Sequence, residues 1–302
     1  MDTIKNRIDF IAVISATNAN PNGDPLVANS PRQDLEGYGL ISDVCIKRKI
    51  RNRVAQIKEG EKGFDIFIRP TEEDGRPLAT KADALKYDRK RICEMYWDVR
   101  AFGAVLTKKK ERGKGKKEEV DITTEDSGDG NQGIRGPVTI QWAKSVAQIE
   151  PTVSQITRCC VASEEEKKKG KVSTMGTKNY VEHAVYKVVG SVNPILAKQP
   201  PKGTGFTDAD LDVLKEAMTS LFENDESSAR PLGSIILEDL VFVSPKENAP
   251  CEPAYKTFER LKIDVSKDVT CPRSIADYHI TLDEDGVNID KRVWERTILR
   301  AR

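Results

Sequence analysis

The chain has 302 residues, enough for one large domain or two small ones, and 38% of them are hydrophobic, enough to build a buried core. Its 49 Lys and Arg against 48 Asp and Glu leave a formal net charge of +1, so any affinity for nucleic acid has to come from local clustering of cations. Six cysteines without CxxC spacing and two histidines argue against a zinc constellation, and no apolar run approaches the ~18 residues of a membrane span; reduced thiols, no cofactor, no membrane and a cytoplasmic address are the expectation.

In chain order, Ile8 to Ile14 is nearly all apolar on both alternating faces, as a central strand covered on both sides would be. A Gly/Pro/Asn-rich loop follows from Asn18 to Gly39, whose successive turns could cradle an anion with backbone N–H groups. Asp24 is the acid in this loop that could be catalytic, against the simpler reading of an Asx-turn or cap. Ser42 is placed to cap a helix running to Lys58. At 100° per residue, Ile46, Ile50, Val54 and Ile57 form its apolar stripe. Lys47, Arg48 and Arg51 gather on a neighbouring face suited to phosphate, while Lys49 and Arg53 lie across the stripe, suited to packing or to neighbouring subunits. A solvated helix face is the plainer reading of such charges.

Phe64 to Ile68 reads as a second strand, and Leu85, Ile92, Tyr96 and Val99 as the stripe of a second helix. Residues 107–135, rich in Lys, Glu and Gly, bury too little to offset their ordering entropy and form a flexible insertion. Val138, Ile140 and Trp142 mark the buried face of a strand. Val153 to Arg158 and Tyr180 to Val189 flank a charged tip as the limbs of a projecting hairpin, with Cys159 and Cys160 as half-buried strand fillers. Thr207 and Asp210 start a core helix over Leu211, Leu214, Met218, Leu221 and Phe222. Ile235 to Val243 is a strand, Pro253 to Leu261 a short helix, and Tyr278 to Leu282 a strand. Asp283 to Asp290 resembles a calcium loop lacking its last Glu, so a hairpin turn is the simpler account. This order describes one α+β domain of ferredoxin or RRM type, 1–302, with long insertions.

The strings NPNGDP, PRQD, GYGLISDVCIKRKIRNRV, FGAV, IRGPV, QITR and TMGTKNYV, in this order, resemble the backbone subunit of type I-C Cascade, of the RAMP superfamily. The resemblance implies an RRM-like palm, a finger insertion and a thumb hairpin at 154–180. It also implies a non-catalytic subunit of antiviral defence that polymerises with copies of itself along a CRISPR RNA, beside other Cascade subunits, and presents the guide to target DNA. The RNA-binding set is then Asn20, Asn22, Gly23 and Arg32 on the loop, Lys47, Arg48 and Arg51 on the helix, and Arg158, Met175 and Lys178 on the thumb. RNA-cleaving relatives in other CRISPR complexes keep an Asp in the loop after the first strand, so the alternative is an RNA endonuclease using Asp24.

Overall fold

The structure is a computed structural model that describes residues 3–106, 132–160, 163–168, 174–247 and 249–292. In chain order its elements are β1 (Ile8–Ala19), β2 (Gly23–Asp24), β3 (Ser30–Pro31), β4 (Tyr38–Ile41), α1 (Asp43–Ile57), α2 (Thr71–Asp74), α3 (Leu78–Ala84), α4 (Arg89–Met95) and α5 (Trp97–Phe102). There follow β5 (Gly103–Leu106), β6 (Gln132–Arg135), β7 (Val138–Ile140), β8 (Ala143–Gln148), β9 (Pro151–Arg158), α6 (Glu164–Lys168), β10 (Thr174–Val192) and α7 (Pro194–Ala197). The chain continues through α8 (Asp208–Thr219), β11 (Ile235–Pro245), α9 (Ala254–Glu259), β12 (Leu261–Val265), β13 (Tyr278–Leu282) and β14 (Val287–Lys291).

Among the described residues the main sheet runs β14-β11-β1-β10-β8-β4, antiparallel throughout, with β7 and β9 also pairing along the long β10. The doubly apolar β1 is central because each face meets its own layer. Phe10, Ala12, Ile14 and Ala16 pack with Tyr186, Phe242 and the buried stripes of α1 and α8, while Ile11 and Val13 pack with Val185, Val241, Val243 and the β12–β13 pair through Leu261 and Tyr278. Ser42 caps α1 by accepting from the Cys45 N–H at 3.3 Å. Thr207 and Asp210 form a reciprocal capping box at α8.

Several expectations change. Phe64 to Ile68 is irregular, touching Tyr96 by a single bridge at Asp65, because the Phe67 and Ile68 N–H groups donate to the Asp98 carboxylate instead of to a strand. The expected second helix is broken into α3, α4 and α5; Lys86 and Tyr87 turn left-handed between the first two, and the three helices cover a satellite core of Phe67, Ile92, Tyr96, Val99 and Ile134. The strand at Val138 stops at Ile140, leaving Trp142 exposed, and the sheet resumes at the buried Ala143. Within 107–135, residues 107–131 lie outside the described residues, whereas Gln132–Arg135 pairs with β5. Cys159 and Cys160 are exposed beyond the end of β9. Asp283 to Gly286 makes no hairpin, because β13 pairs with β12 and β14 with β11.

Beyond Val181 toward its start, β10 leaves β1 and pairs with β9 alone, from Val181↔Pro151 to Thr174↔Arg158. A two-stranded arm forms, but its second limb is 174–181: most of the expected limb, Tyr180 to Val189, pairs with β1 inside the main sheet, because Val181, Val185, Tyr186 and Val188 are buried in the core layers there. The parts of the arm's tip at 161–162 and 169–173 lie outside the described residues.

Candidate nucleic-acid interface

The loop after β1 is folded by its own polar side chains. Asp24 accepts from the Leu26 N–H at 3.0 Å, capping a single 3₁₀ turn (Pro25–Val27), and pairs with Arg32 at 3.3 Å. Its carboxylate thus does what an Asx-turn cap does. Asn20, buried, donates to the Asn29 carbonyl at 2.7 Å. Gly23 faces Asn29 so closely that a Cβ there would overlap its side chain. Ala28 and Asn29 are left-handed in succession, an uncommon conformation for residues with a Cβ. Leu26 and Val27 stand out from the tip, Leu26 at 94% exposure.

Two asparagines tie this loop to its neighbours. Asn22 Oδ1 accepts from both the N–H and the hydroxyl of Ser42, each at 2.9 Å, fixing the loop to the first turn of α1. Asn179 Nδ2 donates to the Ala28 carbonyl at 2.7 Å, fixing the loop tip to the base of the arm. Loop, helix start and arm therefore converge, although they are far apart in sequence. Sequence reasoning missed Asn179, and the string around it carries no local signal of that contact.

The cations of α1 are sorted by tertiary contacts. Lys49 is buried against Asp225, and burial lowers its pKa; Arg53 donates to Ser220 Oγ at 2.7 Å and to Glu223 at 2.6 Å, so both hold α1 to the segment after α8. Arg51 is a correction. At 7% exposure it is buried with its Nε on Asp98 Oδ2 at 2.8 Å and its guanidinium over the Phe102 ring, so it does not share an open phosphate face. Lys47 and Arg48 are half-exposed. Lys47 pairs with Asp43 at 2.9 Å, a pair one helical turn long, and Arg48 Nη1 donates to the Ile68 carbonyl at 2.8 Å. Burial, and then the neighbouring Arg51, lower the pKa of Arg48, with Asp98 and Glu73 acting in the opposite direction. Asp98 was also missed; the signal was one acid set among Trp97, Val99 and Ala101, all buried.

On the arm, strand alternation puts Met175 and Lys178 on opposite faces. Met175 is exposed and its Sδ accepts from Gln155 Nε2 at 3.0 Å, while Lys178 is half-buried. Arg158 pairs by backbone with Thr174. Among the described residues no three His, Cys, Asp or Glu side chains converge to hold a metal ion, and no helix is long and apolar enough to cross a membrane.

Comparison with known proteins adds the family. A profile described as "CRISPR-associated protein Cas7" matches residues 6–283. A Haloferax volcanii protein described as "CRISPR-associated protein Cas7" is 33% identical over 120 residues, 35% of this chain and 34% of that protein, so the chain spans about a third of that relative's length. Two solved structures resemble the fold. One, titled "CRISPR RNA-guided surveillance complex", has a TM-score of 0.43 and 14% identity, covering 87% of this chain and 78% of that one. The other, "CRISPR RNA-guided surveillance complex, pre-nicking", has 0.44 and 13%, covering 84% and 82%. The profile match over most of the length decides the assignment: the chain belongs to the Cas7 family of CRISPR-associated proteins.

Proposed function

We propose that the chain is a non-catalytic backbone subunit of a type I-C Cascade, which coats a CRISPR RNA with copies of itself and, with other Cascade subunits, presents the guide to target DNA in antiviral defence. The observation that carries this reading is the convergence of the Asn20–Arg32 loop, the start of α1 and the arm through Asn22 and Asn179, in a chain of this family. A subunit that accepts any guide should hold sugar and phosphate rather than base edges, and amides, asparagines and half-exposed cations do that. The palm reading is supported by the order β11-β1-β10-β8, with α1 following β1 and α8 following β10, the arrangement of a ferredoxin-like or RRM-like fold. The 154–180 hairpin is then the thumb and 107–135 the flexible insertion. Asn22, Gly23, Arg32, Lys47, Arg48, Arg158, Met175 and Lys178 form the RNA-binding set, with the buried Asn20 and Arg51 acting from beneath it.

The experiment is co-expression with the natural partners, followed by sequencing of the nucleic acid that copurifies; a uniform CRISPR RNA is expected, and indifference to RNA would overturn the reading. Binding of single-stranded RNA should weaken with salt with a slope near −2, for about three phosphates per protomer at roughly −0.7 each. Complementary RNA added with Mg²⁺ should stay intact. Regularly spaced cuts that vanish in Asp24→Ala would make the protein an endonuclease instead.

A further inference from the structure

Residues Ile66 to Ile68 lie against the flank of α1 without a strand partner at Phe67 or Ile68, and their peptides are held by side chains instead. Phe67 N–H donates to Asp98 Oδ1 at 2.7 Å and Ile68 N–H to Asp98 Oδ2 at 3.2 Å. That second oxygen also takes the Arg51 Nε at 2.8 Å. On the carbonyl side, Lys81 Nζ donates to Phe67 O at 2.8 Å and Arg48 Nη1 to Ile68 O at 2.8 Å. Four charged groups thus meet on successive peptides. Asp98 at 0%, Lys81 at 2% and Arg51 at 7% exposure are sealed in; Arg48 is half-exposed.

We propose that Asp98 is a positioning residue for RNA binding: by fixing the two peptides that immediately precede the one whose carbonyl anchors Arg48, and by pairing with the adjacent Arg51, it presents the Arg48 guanidinium to a phosphate. This rests on the reading of Arg48 as an RNA contact. The bond to Ile68 O uses one of the five guanidinium N–H donors and sets the plane of the rest, the geometry that bidentate phosphate binding needs. A peptide that turned away would leave Arg48 mobile beside an uncompensated Arg51, so that each phosphate contact would have to order the side chain first. Asp98→Asn keeps the shape but accepts from one peptide N–H only, meets the other with its own NH₂, and removes the charge.

The test measures binding of a labelled single-stranded RNA to the full chain over a salt series, for Arg48→Ala, Asp98→Asn and the double variant, with circular dichroism and thermal melting on each. Both single variants should weaken binding about tenfold and lower the steepness of the salt slope by about 0.7, the equivalent of one phosphate. The double variant should bind no worse than Arg48→Ala alone. An Asp98→Asn effect that persists undiminished on the Arg48→Ala background, or that leaves the salt slope unchanged, overturns the positioning role alone. An Arg48→Ala that binds like the parent overturns the RNA reading of α1 and the proposal with it. If Asp98→Asn fails to fold, Arg51→Met with Asp98→Asn removes the buried pair as a unit and carries the same test, with the same loss of slope expected.

Discussion

Asn22 Oδ1 accepts two hydrogen bonds from Ser42, one from its backbone N–H and one from its hydroxyl, both at 2.9 Å. The hydroxyl oxygen in turn accepts from Cys45 N–H, so a loop residue orients the cap of the principal helix.

Asn22→Ala removes that acceptor from a half-buried place and leaves the Ser42 N–H without it. A stability loss of about 1–2 kcal/mol is expected, the sum of a weakened cap and an unsatisfied donor. Urea unfolding with an unchanged m-value checks it.

Asn179→Ala releases the Ala28 carbonyl from the arm. Because the 26–29 tip is exposed and holds two successive left-handed residues, loss of this tie should loosen the tip while global stability moves by no more than about 1 kcal/mol. Hydrogen exchange should quicken at the Asn29 amide, which donates to Asp24 O at 2.8 Å in the parent.

Arg48 and Arg51, three residues apart on one helix, should fail in different assays. Arg51→Ala strips the partner from the fully buried Asp98 and should cost about 3–5 kcal/mol in thermal or chemical unfolding. Arg48→Ala should stay within about 1 kcal/mol of the parent and lose RNA affinity instead. Equal stability losses in the two variants would contradict this division.

Burial in the satellite core pushes the Cys93 thiol from an ordinary 9.0 up to about 11. The folded state therefore holds this proton more tightly than the unfolded chain. Its contribution is fully present below pH 9.0 and is lost as pH rises toward about 11, of order 2 kcal/mol at the alkaline end. Denaturant unfolding of Cys93→Val and the parent over that range should show a shallower alkaline decline for the variant. Alkylation at mild pH should meanwhile mark Cys251 and Cys271, which are exposed, before Cys93.

The features legible in neighbouring residues are β1 as a central strand, Ser42 and Thr207 as helix caps, the stripe of α1, and the first limb of the arm; the sequence pattern places its second limb too far along the chain. Periodicity and caps are short-range patterns, legible wherever the chain is regular. The tertiary structure decided which charges stay available. Arg51 and Arg48 look alike along the helix, yet Asp98, 47 residues further on, buries the first and leaves the second at the surface. The same carboxylate turned a strand-like run at Phe64–Ile68 into an irregular one by taking its N–H groups. The joining of loop and arm through Asn179 was equally invisible, because a hydrogen bond between residues 151 positions apart leaves no periodic trace. Hydrophobic spacing reports the side a helix buries; only the partners brought against its flanks decide which cations face solvent and which are neutralised.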